Sequence, residues 1–379
     1  MRRWGWFRST RFLLAIDNLK RHIRSATAVM PTFKSAERRR AIQRGMEFIY
    51  GIARKPRHFA KCCDDLLYFF RHVALTAQDR SLRKMARRMA NESFSRWRYN
   101  HRVLPPDADA DTIIEYFHDA STAEQFGLRN KTLKQHLREA AKAYTAADFL
   151  WFDPLSEAPP VDVPESCDYC ESWNERGRKR CCSCRRQLSM MTRYQVWYYS
   201  LTRAYCAESY GIVLGASYSD VFKWLPALRP YRGREADANS DFADTVYAIS
   251  HVVYTLNDYG VYRLSPCWLP EEYEFLKLNL KEAIALEDPD MMGEFLDSLM
   301  GFGLTDKHPL IRQGMEYLLS TQNRDGSWGD VEAEDLYSRY HPTWAAIDGL
   351  RNYAWRGAGL KFPELLPLFK SWARRKRVA

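Results

Sequence analysis

Pairs of acidic and histidine residues seven positions apart recur along this chain, and their spacing constrains the fold more than any other feature. The pairs are Asp65/His72, Asp111/His118, Asp244/His251, the reversed pair His341/Asp348 and the two-acid pair Asp290/Asp297. Seven residues make two turns of an α-helix, so the members of each pair lie on one helical face. Three of the four intervals between pair starts are 46, 46 and 51 residues long. This period predicts a repeated hairpin of one outer and one inner helix.

The remaining interval, from position 111 to position 244, holds 133 residues. It has room for another inner helix at 194–205 and for a cysteine-rich insertion at 154–190. Six inner helices are the number that closes an α6/α6 toroid, in which a ring of outer helices surrounds a ring of inner ones. We therefore predict an all-α toroid over residues 36–379, preceded by a basic segment at 1–35. Strand-like alternation is scarce, so little β-sheet is expected.

Two motifs near the carboxyl end connect the chain with a known superfamily. The segment at 322–329, QNRDGSWG, resembles the QW motif of squalene-hopene and oxidosqualene cyclases. The segment at 337–344, YSRYHPTW, is similar to the stretch of protein prenyltransferase β subunits that carries a zinc-binding histidine, and His341 falls on that position. The resemblance covers mainly residues 240–360, with a weaker similarity at 40–75. It implies the α/α toroid of the terpenoid cyclases and prenyltransferases, with a central cavity.

The chain departs from the catalytic motifs of both families. Class II terpenoid cyclases protonate an alkene with the middle acid of a DxDD motif, and the matching segment here is Asp241-Phe242-Ala243-Asp244. Ala243 stands where the proton donor should be. Prenyltransferases supply an Asp-x-Cys zinc pair before their histidine, and no inner-helix segment of this sequence carries one. Simple class II cyclisation and protein prenylation are both disfavoured.

The inner helices instead predict a polar constellation around the cavity. Its proposed metal ligands are His251, His341, Asp244 and Asp348, with His72 and His118 as additional ligands or a second position. Imidazole and carboxylate ligands suit zinc or non-haem iron, so we predict a second metal, iron or zinc, in the cavity. Two explanations without metal stay open: a structural network of Asp–His hydrogen bonds, and acid–base catalysis.

Four residues of this constellation are candidate catalytic groups. They are Asp244, Tyr247, Trp344 and Asp348. Tyr247 and Trp344 each stand three residues into a polar pair, so their rings are expected to face the cavity. There they would stabilise a cation or contact an apolar substrate, although core packing explains them equally well.

The cysteines of the insertion form two CxxC pairs. Cys167 and Cys170 are followed, after a ten-residue spacer, by Cys181 and Cys184. Four thiolates in this arrangement predict a tetrahedral structural zinc site, and Cys182 could replace Cys181. Disulfide or redox use and the absence of any role are the alternatives. The preceding segment, 154–164, is rich in proline and acidic residues and is expected to be a linker.

Charge and hydropathy limit the partners and the cellular location that the sequence predicts. The net charge is +10, with basic residues concentrated at both ends, yet no nucleic-acid-binding motif is recognisable. The basic ends are compatible with contact to an anionic membrane surface. The sequence has no apolar run of about 20 residues and no signal peptide, so a cytoplasmic location is expected. Nothing in the sequence specifies an oligomeric state.

These observations predict a metal-dependent enzyme that transforms a hydrophobic, isoprenoid-like small molecule in the toroid cavity. Two alternatives remain. One is a metal-free terpenoid cyclase or prenyl-transfer enzyme. The other is a non-catalytic toroid that binds a partner and carries a structural zinc.

Overall fold

The computed structural model describes residues 34–100, 103–170, 172–234 and 241–375, and these residues are helical with no β-strand. The predicted basic segment at 1–35 therefore lies almost entirely outside the described residues. The helices are α1 (Ser35–Ala53), α2 (Pro56–Thr76), α3 (Arg80–Asn100), α4 (Ala110–Gln125), α5 (Lys131–Ala141), α6 (Ala146–Leu150), α7 (Arg193–Tyr210), α8 (Tyr218–Phe222), α9 (Leu225–Leu228), α10 (Phe242–Leu256), α11 (Pro270–Ala285), α12 (Pro289–Gly301), α13 (Pro309–Thr321), α14 (Leu336–Leu350) and α15 (Leu366–Arg375). The prediction of an all-α fold is confirmed for this part of the chain.

Six helices carry the polar pairs or the segment predicted between them: α2, α4, α7, α10, α12 and α14. Each contacts the next one in chain order, and α14 also contacts α2. The other long helices pack beside them. Thus α1 and α3 contact α2, α5 contacts α4, and α11 and α13 contact α12. Helix α7 contains the segment 194–205, where the spacing predicts a further inner helix.

The closest helix pair is α12 with α14, and glycine is the reason. A methyl group on Gly293 would lie 2.2 Å from the carbonyl oxygen of Ala345. On the facing helix, a methyl group on Gly349 would lie 3.0 Å from the Cα atom of Gly293. Because neither glycine has a side chain, the two backbones approach each other directly. Side chains of α12 and α14 near this crossing are therefore brought within hydrogen-bonding distance of each other.

The QW-like segment joins the last helical hairpin to the first helix. Trp328 is buried, and its indole Nε1 donates to the carbonyl oxygen of Leu318 at 2.7 Å. The Nε2 atom of Gln322 donates to the carbonyl oxygen of Ala41 in α1 at 2.8 Å. Gly45 of α1 faces the indole ring so closely that an added methyl group would lie 2.9 Å from it. These contacts hold α1 against the turn between α13 and α14.

The cysteine-rich segment lies between α6 and α7 and contains no helix in its described residues. It packs on a small apolar cluster of its own, in which Phe152, Val163 and Met191 surround Val196 of α7. Within the described part of the chain, none of the helices combines the length and the hydropathy needed to cross a membrane.

Candidate functional site

A cavity of about 1410 Å³ lies among α7 and the five helices that carry the polar pairs. All six supply residues to its wall, for example Tyr68 from α2, His118 from α4, Tyr199 from α7, His251 from α10 and Glu294 from α12. Helix α14 adds seven further residues, and the cysteine-rich segment covers part of one side. Ligand pockets usually measure about 300–1,000 Å³, so this cavity is large enough for a substrate of considerable size.

A buried group of two carboxylates and one imidazole lies in this wall. Asp290, Glu294 and His341 each place one ligand atom within 4.8 Å of the others. The imidazole Nδ1 of His341 lies 2.9 Å from Oδ1 and 3.1 Å from Oδ2 of Asp290, and since a carboxylate only accepts, Nδ1 carries the proton. None of the three side chains is more than marginally exposed.

The local structure explains why these three residues meet. Asp288 caps the start of α12 by accepting from the backbone N–H groups of Asp290 and Met291. Asp290 thus stands in the first turn, and Glu294 follows four residues later on the same helical face. The close approach of α14 to α12 brings His341 against both carboxylates.

Burial and mutual charge set the proton affinities of this group. Burial alone lowers the pKa of His341, but the charge and hydrogen bond of Asp290, helped by Glu294 and Asp65, outweigh it and raise the value to about 9. Burial, together with the negative charge of Asp290, raises the pKa of Glu294 to about 7. His341 is therefore positively charged at neutral pH, and Glu294 is poised between its two protonation states.

The donor set fits a divalent metal ion. Carboxylate oxygens and a neutral imidazole nitrogen are ligands of zinc and of non-haem iron, and an ion bound to His341 would have to displace one of its ring protons. Oε2 of Glu294 is buried and has no hydrogen-bond partner among the described residues. A buried carboxylate oxygen without a partner is costly, and a bound cation would satisfy it.

Two residues predicted from the sequence lie against this group. Tyr247 lines the cavity, and its hydroxyl group donates to Oδ2 of Asp290 at 3.3 Å. His251 donates from Nδ1 to the carbonyl oxygen of Tyr247 at 2.7 Å, which places the lone pair of its neutral ring on Nε2. Burial lowers the pKa of His251 to about 4, so its ring is in the neutral form that metals bind.

Three other predicted residues form a separate network at the opposite end of the polar pairs. The guanidinium of Arg351 donates to Oδ1 of Asp348 at 2.6 Å and also contacts Nε2 of His72. Trp344 donates from its indole nitrogen to Oδ2 of Asp348 at 2.7 Å. Burial and the positive charge of Arg351 lower the pKa of His72 well below its ordinary value. Asp348 is thus held by an arginine and an indole, and it does not join the group around His341.

The last two predicted cavity residues lie elsewhere. Asp244 stands in the first turn of α10, where it accepts from the hydroxyl group of Thr192 at 3.0 Å, and burial raises its pKa to about 7. His118 lines the cavity with its ring stacked on Tyr68, at 5.5 Å between ring centres. Burial and the charge of Arg71 lower the pKa of His118 to about 4.

The two carboxylates beside His341 are the residues that the sequence does not assign to the metal set. Asp290 is recognisable there as the start of a two-acid pair, and Glu294 follows it by four residues. The i, i+4 spacing of two acids on one apolar helix is the signal that identifies them. The sequence favours Asp244 and Asp348 because they share helices with histidines, whereas the contact to His341 is made between helices.

The four cysteines of the insertion come together as the spacing predicts. Their sulfur atoms lie within 4.8 Å of one another, with 3.5 Å between Cys167 and Cys184 and 3.4 Å between Cys170 and Cys181. None forms a disulfide. Four sulfurs bound at 2.3 Å to one tetrahedral ion would be about 3.8 Å apart, so the cluster fits such an ion. Hydrogen bonds from backbone N–H groups, led by that of residue 184, lower the pKa of the Cys181 thiol.

The exposed Cys182 lies outside this cluster, so the pairing uses Cys181. Cys167 itself lines the cavity together with its neighbours Glu165 and Asp168. The cysteine-rich segment is therefore part of the cavity wall.

Comparison with known proteins returned no matching family model, no similar curated protein and no similar solved structure.

Proposed function

We propose that this chain is a metal-dependent enzyme of the α/α toroid type that transforms a largely apolar small molecule in its central cavity. The observation that carries this proposal is the buried group of Asp290, Glu294 and His341 in the wall of a cavity of about 1410 Å³. Two acids and an imidazole are costly to bury in an apolar wall unless they bind something there.

The contacts among α7 and the five helices that carry the polar pairs form a closed cycle, and this supports a closed inner ring. Each of these helices touches the next, and α14 touches α2, as the first and last members of a toroid must. The hydrogen bond from Gln322 to α1 supports the same arrangement, because a QW motif ties neighbouring repeats together. The resemblance to terpenoid cyclases and prenyltransferases points to the same fold.

The residues around the proposed metal would have different roles: some would bind the ion, and one would position a ligand. Asp290, Glu294 and His341 would hold a zinc or iron ion. The neutral ring of His251 in α10 lines the same cavity and would be available as a further ligand. When bound, such an ion supplies a Lewis acid that polarises a substrate oxygen or lowers the pKa of a water molecule. Tyr247 holds Asp290 in place through its hydroxyl group. Burial and the charge of Asp290 raise the pKa of Glu294 to about 7, so its ionised form is available at neutral pH to bind the ion.

We propose zinc as the ion of the cysteine cluster and a structural role for it. Four thiolates favour zinc, and the segment has too few apolar residues to fold without a cross-link. Because Glu165 and Cys167 line the cavity, zinc there would also fix one side of the substrate site.

Metal analysis of the purified protein tests both assignments at once. We expect two metal ions per chain. The double variant Glu294→Gln/His341→Ala should lose one ion, and Cys170→Ser/Cys181→Ser should lose the other. His136→Ala is the matched control, since His136 is exposed and lies outside both groups. A Glu294→Gln/His341→Ala protein that keeps the full metal content of the wild type would refute the cavity metal.

A second candidate function is metal-free proton chemistry in the same cavity. Asp297 lines the cavity, and burial together with the charge of Asp348 raises its pKa to about 8. An acid that stays protonated at neutral pH is what alkene protonation requires, and Ala243 leaves the usual position without one. Turnover of a polyprenyl substrate in the presence of a chelator, abolished by Asp297→Asn, would favour this candidate over the metal-dependent one.

A further inference from the structure

The mouth of the cavity is strongly acidic. Six acidic residues surround it, on the α11–α12 turn and on the loop between α13 and α14: Glu287, Asp288, Asp330, Glu332, Glu334 and Asp335. All but Asp288 are exposed to solvent. None of the exposed five forms an ion pair with a lysine or arginine in the described part of the chain. Their negative charges therefore act together on whatever enters.

Basic residues do not balance this charge inside the cavity. Among the described lining residues, Arg203 is the only lysine or arginine, and its guanidinium pairs with Asp111 at 2.9 Å. The chain as a whole carries a net charge of +10, so an acidic mouth runs against its composition. Anionic ligands such as a diphosphate would be repelled here, whereas cationic ligands would be attracted and concentrated.

Aromatic rings form the wall beyond the mouth. Tyr68 contacts Tyr259 edge-on, with ring centres 5.0 Å apart, and Trp344 at 6.1 Å, and all three line the cavity. Tyr68 is only 6% exposed, and its hydroxyl group lies near the side chains of Tyr259 and Arg71 without a hydrogen bond of normal geometry to any described residue. A buried hydroxyl group that is so weakly satisfied in a cavity wall can bind a polar group of a ligand. Such a wall suits an apolar body that carries a polar group.

The charged residues near the cavity also favour one orientation of a bound ligand. The guanidinium of Arg71 lies 5.1 Å from the centre of the Tyr68 ring, so it disfavours a second cation at that ring. The acidic mouth favours one at the entrance. A cationic group therefore belongs near the mouth, and the apolar body belongs along the rings.

We propose that the substrate is an amphiphilic organic cation, an amine or quaternary ammonium compound with an apolar body. This inference rests on the proposed function in one respect, that the cavity is the substrate site. It does not depend on a metal in the group around His341.

Calorimetric titration with matched eight-carbon probes tests the inference. Octyltrimethylammonium and octanoate have apolar chains of similar length, about eight and about seven carbons, and opposite charge. With protein treated with a mild chelator, so that it keeps the ion of the cysteine cluster and loses any cavity metal, we expect the cation to bind at least tenfold more tightly than the anion at low ionic strength. Raising the salt concentration should reduce this preference, because mobile ions screen the exposed acids.

Replacing acidic residues at the mouth with neutral ones tests whether the cation preference arises there. The triple variant Glu287→Gln/Glu332→Gln/Glu334→Gln should bind octyltrimethylammonium roughly fivefold to tenfold more weakly, as expected for three partly screened charge contacts. The control, Glu47→Gln/Asp107→Asn/Glu364→Gln, changes the net charge equally at exposed acids away from the mouth and should bind within about twofold of the wild type.

Octanoate binding as tight as that of the cation, or equal losses in the mouth and control variants, would overturn the inference. Because the titration uses protein without a cavity metal, its result does not depend on the proposed ion. If metal analysis of the purified protein finds no cavity ion while the cation preference holds, the proposed metal is refuted and the substrate class stands. Two metal ions with no cation preference would refute the substrate class alone.

Discussion

The substitution Gly293→Ala should separate α12 from α14 and disturb the candidate metal site. Its added methyl group would lie 2.2 Å from the carbonyl oxygen of Ala345 and 2.8 Å from the backbone nitrogen of Ala346. Atoms of this kind do not approach within about 3 Å, so the two helices must move apart by about 1 Å in a close-packed interior. Both obstacles are backbone atoms, and no side chain can rotate to relieve the overlap.

The expected magnitude follows from two opposing terms. Alanine stabilises a helix interior by about 1 kcal/mol relative to glycine. Overpacking of a core costs about 1–3 kcal/mol, and a backbone overlap belongs at the upper end of that range. We therefore expect Gly293→Ala to lower the free energy of unfolding by about 2 kcal/mol, the difference between these terms.

Urea denaturation followed by far-UV circular dichroism measures this change. Gly51→Ala is the matched control, because Gly51 lies in α1, is exposed, and has no atom within 4 Å of an added methyl group. It keeps the helix-propensity gain without the overlap, so it should leave the protein as stable as the wild type or up to about 1 kcal/mol more stable. A Gly293→Ala protein as stable as Gly51→Ala would refute the account of the α12–α14 contact.

Three further predictions concern other parts of the molecule. Cys170→Ser should release the ion of the cysteine cluster, seen by metal analysis, whereas Cys267→Ser should not, since Cys267 is an exposed thiol outside the cluster. Arg351→Met should lower the free energy of unfolding in urea by about 3–5 kcal/mol, because it leaves the buried carboxylate of Asp348 without its charged partner. Burial lowers the pKa of His118 to about 4 from about 6.5 in the unfolded chain, so stability is lost as the pH falls between these values. His118→Phe should remove up to about 3 kcal/mol of that loss, measured as the difference in unfolding free energy between pH 7 and pH 4.

The helical architecture was accessible from the sequence because it depends on local periodicity. The pairs seven residues apart identify one face of each of five helices, and the structure has a helix at every one of them. The cysteine cluster was accessible for a similar reason, since two CxxC pairs with a short spacer leave few other arrangements for four thiols. Both predictions need only the order of residues along the chain.

The hydrogen-bond partner of each polar residue could not be predicted from the sequence in the same way. Asp348 pairs with Arg351 and His72, and Asp244 pairs with Thr192, while His341 meets Asp290 instead of either. Gly293 and its neighbours decide which of these helices approach each other most closely. A glycine in a helix, however, does not indicate which residue of another helix it will contact. The sequence identifies the face of each residue and leaves the contact across the interface undetermined.

The two ends of the repeated polar pairs differ in how completely their charges are satisfied, and this difference assigns them different roles. At one end, Arg351 binds Asp348 and His72 and donates to the hydroxyl group of Thr76 at 2.9 Å. Such a network stabilises the wall and needs no further ligand. At the other end, Glu294 keeps a buried oxygen without a partner beside a charged His341. An incompletely satisfied buried carboxylate lowers stability in the protein alone, and a bound cation would recover that stability. The structural network, one of the explanations considered from the sequence, therefore describes one end of these helices, and the proposed metal site would occupy the other.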